Sequence, residues 1–234
     1  MDHEETLITV SAIGNHLNKQ GKLKEAELLY RRALEGYERT LGRDHPDTLT
    51  SVNNLGGLLE ELGKRDHAEP FYRRALEGKE RTLGRDHPST LGSVNNLGML
   101  LKAQGKIDLA EPFLRRAVEG YERTLGRDHP STLVSVGNLG ALLEAQGKLD
   151  LAEPFLCRVL EGCERTLGRD HPSTLTSVNN MGALLESQGK LDLAEPFYRR
   201  AVEGYERTLG RDHPSTRKVA ENLRLLLKTM EKKK

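Results

Sequence analysis

A single period dominates the sequence. Gly42, Gly84, Gly126, Gly168 and Gly210 lie 42 residues apart, as do Pro46, Pro88, Pro130, Pro172 and Pro214, inside a near-identical decapeptide of the type TLGRDHPSTL that begins at Thr40, Thr82, Thr124, Thr166 and Thr208. A fixed period of this size means stacked supersecondary units that bury one another's apolar faces, instead of one core with a single centre. The 234 residues divide into units 2–43, 44–85, 86–127, 128–169 and 170–211, with 212–234 left as one closing helix and a basic tail.

Within the unit 44–85, His45 precedes a proline and is pushed out of the helical region, while Pro46 has its φ preset for a first helical position. A helix A is predicted from Pro46 to about Leu62, capped by Asp44 or His45. Leu49, Val52, Leu55, Leu59 and Leu62 recur at threes and fours, which is one helical stripe. Gly63 follows as a left-handed stop. Asp66 with Glu69 three residues on has the form of a capping box, repeated by Asp108/Glu111, Asp150/Glu153 and Asp192/Glu195, and so predicts helix B from there to Leu83. Pro70 falls in its first turn, where it is tolerated. Ala68, Tyr72, Ala75, Leu76 and Leu83 form its apolar stripe. The decapeptide is thus punctuation: a glycine stop, a short turn and a proline start.

Two glycine columns recur inside helices in every unit, Gly56 and Gly78 in this one, and each such glycine costs about 0.5–1 kcal/mol against alanine. Ten such positions along the chain imply that neighbouring helices approach too closely for a Cβ. Helix B also carries Glu69, Arg73, Glu77 and Arg81 at four-residue steps, a ladder of solvated ion pairs worth a few tenths of a kcal/mol each.

Composition narrows the function. Thirty-six Lys and Arg against 35 Asp and Glu give a net charge of +1, so neither nucleic acid nor an anionic membrane is an expected partner. No apolar run approaches the roughly 18 residues that span a bilayer, and the start, MDHEETL, is acidic where a secretory signal is basic, so a cytoplasmic location is expected. Cys157 and Cys163, six apart on one helix, point about 240° from each other and cannot bridge. The periodic histidines His45, His87, His129, His171 and His213 come one per repeat with no second ligand at helical spacing, and no phosphate loop or hydrolase motif occurs. No cofactor, metal or catalytic residue is expected, and the chain is read as a non-enzyme.

The order Leu55, Gly56, Leu59, Ala68, Tyr72, Ala75 resembles the tetratricopeptide repeat, and all five units carry it, from Ile13, Gly14, Leu17, Ala26, Tyr30 and Ala33 to Met181, Gly182, Leu185, Ala194, Tyr198 and Ala201. The 42-residue form with LGRDHP and NNLG is similar to the repeats of kinesin light chains. That resemblance implies an all-α, right-handed solenoid of five helix hairpins plus a C-terminal capping helix. It further implies a peptide- or protein-binding scaffold whose A helices line a concave groove. Two departures limit it. Kinesin light chains carry a heptad coiled coil before their repeats, whereas this sequence begins within a repeat, so motor attachment is not implied. The basic carboxylate clamp of chaperone-tail receptors is replaced by Asn53, Asn54, Asn95 and Asn96.

The implied groove face carries two ladders, Asn53, Asn95, Gly137, Asn179 and Asn54, Asn96, Asn138, Asn180. An amide offers donor and acceptor together, which suits the backbone of an extended peptide; either ladder could instead bond neighbouring helices and fix the stacking. Asn15, Glu60, Glu144 and Glu186 extend the candidate face. The units starting at Asp86 and Asp170 differ at seven places, four of them on it: Gly92/Thr176, Met99/Ala183, Lys102/Glu186 and Ala103/Ser187. Met99 could fill an apolar recess adaptably. The competing reading is a purely structural array, amplified or engineered, without a dedicated ligand. At the ends, Arg217 replaces Leu175 and Arg224 replaces Gly182, as befits a closing helix, while no cap precedes Leu7, Ile8 and Val10, so oligomerisation through that end is a further expectation.

Overall fold

Each decapeptide forms one turn held by its histidine, its aspartate and, in most copies, its second threonine. In the computed structural model, which describes residues 4–232, the glycines that open these turns have φ between 85° and 90°. The histidine is the cap: the Nδ1 of His45, His87, His129, His171 and His213 accepts from the backbone N–H two residues on, at 3.1–3.3 Å. The aspartate serves a different helix. Asp44, Asp86, Asp128 and Asp170 accept from Arg81, Arg123, Arg165 and Arg207 at 2.5–2.7 Å. The buried threonines 48, 132, 174 and 216 donate to the carbonyl of the glycine six residues back, at 2.7–2.8 Å. The turn is therefore latched at both ends, and the long run between period marks folds as two helices.

Eleven helices result among the described residues: α1 Glu4–Lys19, α2 Leu23–Thr40, α3 Pro46–Glu61, α4 Arg65–Leu83, α5 Pro88–Ala103, α6 Ile107–Leu125, α7 Pro130–Ala145, α8 Leu149–Leu167, α9 Pro172–Ser187, α10 Leu191–Leu209 and α11 Pro214–Glu231. No strand occurs among them. They fall into two compact units, 1–125 and 126–234. In the first, α1–α2, α3–α4 and α5–α6 pair as hairpins, and α2 packs on α3 and α4 on α5. In the second, α7–α8 and α9–α10 pair, α8 packs on α9, and α11 lies against α10.

The helical glycines permit this pairing. A Cβ on Gly78 would stand 2.4 Å from Leu49 Cδ2, and one on Gly120 or Gly204 would meet Leu91 or Leu175 at 2.4 and 2.3 Å. Those leucines are fully buried. Gly56 and Gly182 face the rings of Tyr72 and Tyr198 less tightly, where a Cβ would stand at 3.2 and 3.1 Å.

The capping boxes do not form. Helix B begins one residue before the expected aspartate, at Arg65, and its caps Lys64, Lys148 and Lys190 contribute no side-chain bond. Asp66, Asp108, Asp150 and Asp192 sit in the first turn instead, where the helix dipole favours them. Glu69 lies too far along to reach back and is captured by Lys106 and Arg73 at 2.8 and 2.7 Å, while Asp66 takes Gln104 of the next hairpin at 3.2 Å. Glu153 and Asp150 repeat this with Gln188 and Lys190. The charge ladder is likewise redirected: Glu69–Arg73 pairs along the helix as expected, but Arg81 leaves it for Asp44.

At the C-terminal end Val219 and Leu226 of α11 are buried, and Val219 joins the cluster of Leu175, Val178, Ala201 and Tyr205. Arg217 and Arg224 point outward to Asp212 and Glu221. At the other end Leu7 and Val10 pack with Ala33 and Tyr37, whereas Ile8 and Ile13 are exposed. Residues 1–3 and 233–234, including the end of the basic tail, lie outside the described residues.

Candidate functional site

The two asparagine ladders have different duties. In the first unit Asn53 Oδ1 accepts from Asn96 Nδ2 at 3.3 Å and from Ser93 Oγ at 3.4 Å, tying α3 to α5. In the second, Asn179 Oδ1 accepts from Asn222 Nδ2 at 2.9 Å, tying α9 to α11. The Asn53 ladder thus supplies acceptors that stitch consecutive A helices together, and Asn95, in the same ladder, is buried. Asn96 of the second ladder is the donor to Asn53 of the first. Asn54 and Asn180 stand apart, with no hydrogen-bond partner among the described residues.

In the first unit Asn15, Asn53, Asn54 and Asn96 converge on one recess of about 260 Å³. Its walls add Tyr30, Tyr72, Asn18 and Glu61. Tyr30 donates to Asn15, and Asn18 to Glu61 at 3.4 Å. Tyr72 donates to Glu60 at 3.2 Å, and burial, reinforced by the Glu60 carboxylate, raises its phenol well above the usual range. Tyr198 and Glu186 repeat this pair in the second unit at 2.8 Å. Glu60 and Glu186 are therefore engaged by their own hairpins. Met99, half-buried, and Lys102 are not brought into the recess.

Asn18 and the two tyrosine hydroxyls were absent from the sequence-derived set. Asn18 occupies the column of Glu60, Lys102, Glu144 and Glu186, so the period pointed to it; the tyrosines had been read only as apolar stripe.

A second recess, about 420 Å³, lies wholly in the second unit between α7, α8 and α9. It brings together Asn138 and Asn180, from the candidate set, with Gly137 and Ala141. Its deeper wall comprises Leu156, Val159 and Cys163, none of which the sequence reading placed at a site.

Among the described residues no group of three or more His, Cys, Asp or Glu side chains could hold a metal ion, and both cysteines are free thiols. No described helix is long and apolar enough to cross a membrane.

Known structures share this architecture. The nearly identical TPR-like repeats of a Podosopora anserina protein described as a kinesin light chain are 25% identical, cover 89% of this chain and 99% of their own, and superpose with a TM-score of 0.74. BtubC (BKLC) from P. vanneervenii is 26% identical over 90% of this chain and 83% of its own, with a TM-score of 0.76. No curated protein sequence matches the chain. The tetratricopeptide repeat model matches at residues 5–81, 68–121, 89–165, 137–207 and 174–233, nearly end to end. With the hairpin order and the glycine packing described above, these matches place the chain in the tetratricopeptide repeat family.

Proposed function

We propose that the protein is a non-catalytic scaffold that holds an extended peptide or protein segment against its A-helix faces, α1, α3 and α5 in one unit and α7, α9 and α11 in the other. The observation that carries this reading is the division of labour between the ladders. Asn53 and Asn179 are spent on joining helices, while Asn54 and Asn180 line recesses with their amide groups unused. An unused amide beside a recess can donate to a peptide carbonyl and accept from the next N–H, recognising backbone without fixing side-chain identity. Tetratricopeptide repeats serve generally as interaction scaffolds, and the near-zero net charge favours a neutral or mixed-charge segment. A cytoplasmic setting accords with two free cysteines.

Panning a library of linear peptides on the intact protein tests the reading. Peptides that enrich should bind Asn54→Ala or Asn180→Ala about two- to ten-fold more weakly at unchanged helicity, the weight of one hydrogen bond. Enrichment of no peptide, or equal binding by both variants, refutes it.

A further inference from the structure

The recess in the second unit exists because one column of the array has lost a ring. Residues 37, 79, 121, 163 and 205 are Tyr, Lys, Tyr, Cys and Tyr. Tyr205 packs between its own hairpin and Val219 of the next helix, and at two positions the hydroxyl closes on the A helix of its own hairpin: Tyr121 donates to the Pro88 carbonyl at 3.1 Å and Tyr205 to the Pro172 carbonyl at 3.0 Å. Cys163 stands the same 33 residues after Pro130, and its short side chain leaves the ring's place empty, with Pro130 on the wall.

Neighbouring substitutions reshape the same space, Gly137 and Leu156 by being smaller than Asn179 and Tyr198. Units 128–169 and 170–211 differ at nine positions, and five of them, Val134, Gly137, Leu156, Val159 and Cys163, line this one recess. Val159 is only partly buried, although its four counterparts, Ala33, Ala75, Ala117 and Ala201, are fully buried. Gly137 interrupts the acceptor ladder, so Asn180 lacks the partner that Asn53 gives Asn96 and Asn179 gives Asn222. Val134, 59% exposed, adds an apolar edge where the mouth meets the A-helix face.

We propose that this recess binds a phenol ring, namely the tyrosine side chain of a peptide lying along α7 and α9. Apolar cavities of ring size take up aromatic molecules, and the array itself displays the fitting guest in Tyr121 and Tyr205. The guest's hydroxyl would meet the Pro130 carbonyl, and Asn180 would hold the peptide backbone at the mouth. Delivery by a peptide rests on the proposed scaffold function; acceptance of the ring rests only on the cavity.

The experiment separates the two. Ligand-observed NMR and thermal shift with 4-methylphenol should show binding to the intact protein, with a dissociation constant on the order of 1 mM, and at least about three-fold weaker binding of toluene, which lacks the hydroxyl. The double variant Val159→Ala, Cys163→Tyr reproduces the Ala201/Tyr205 pair and should melt higher and no longer bind. Should that variant fail to fold, Gly137→Asn, which recaptures Asn180 and narrows the mouth, should weaken binding instead. No binding by the unaltered protein, or undiminished binding by the folded double variant or by Gly137→Asn, overturns the proposal. An acetylated, amidated Ala-Ala-Tyr-Ala-Ala peptide should bind at least five-fold tighter than 4-methylphenol and lose that margin in Asn180→Ala. If it gains nothing, the tyrosine-peptide assignment falls even though the cavity accepts a ring.

Discussion

Gly78 and Gly57 show how context sets the sign of one substitution. Glycine-to-alanine in an exposed helix ordinarily stabilises by about 0.5–1 kcal/mol. At Gly78 the new methyl would lie 2.4 Å from a fully buried Leu49, so Gly78→Ala should destabilise by about 1–3 kcal/mol in urea unfolding. At Gly57 the nearest atom is the Tyr72 hydroxyl at 3.3 Å, and Ala183 already occupies the matching place beside Tyr198, so Gly57→Ala should gain up to about 1 kcal/mol. His129 offers a third case. Its imidazole caps α7, and His129→Ala should cost about 1 kcal/mol, measured the same way. The glycine pairing was legible in the sequence, since five superposed copies cannot all carry a costly residue without a reason. The histidine cap was legible only as a choice between neighbours, because Asp44 is an equally good capping residue in isolation and is diverted by an arginine 37 residues away.

Between hairpins, the recurring staple is a helix B glutamate held by an arginine one turn on and by a lysine in the next hairpin. Glu69 is the clearest example. The Lys106 hydrogen bond foremost, helped by Arg73 and Gln104, brings its carboxyl down to about 2. Glu27, under Arg31 and Lys64, and Glu153, under Gln188 and Lys190, are shifted in the same direction. A carboxyl whose folded value lies below its unfolded value of 4.5 contributes its full stability above that pH and loses it as acid approaches 2. Urea midpoints should therefore fall between about pH 5 and about pH 2.5, and Glu69→Gln should make that fall shallower while lowering the neutral-pH midpoint. The same glutamate misled the sequence reading. Aspartate followed three residues later by glutamate satisfies the capping-box pattern, yet the pattern cannot show that Lys106 and Gln104, from another hairpin, compete for both carboxylates and win.

For the whole chain, stability is a sum of neighbouring interfaces, so damage should stay near its origin. Leu226 of α11 is fully buried, and Leu226→Ala should cost about 2–4 kcal/mol, appearing in hydrogen exchange first as lost protection in α10 and α11. Element order was legible because the period supplied five independent copies of every start and stop. The candidate site was legible only in part. A ladder of asparagines can be read along a helix, but which amide is already taken depends on the register between helices, and the recess beside Cys163 is an absence that no motif records. The cysteine was visible from the outset as a thiol; its meaning lay in the tyrosines above and below it in the column.

That column has an evolutionary corollary. Tyrosine and cysteine codons differ only at the middle base, so a point mutation in one copy is enough to remove the ring while the copies on either side keep theirs. Tandem duplication would then act as insurance, letting a single module explore new guests without risking the collapse of the rest.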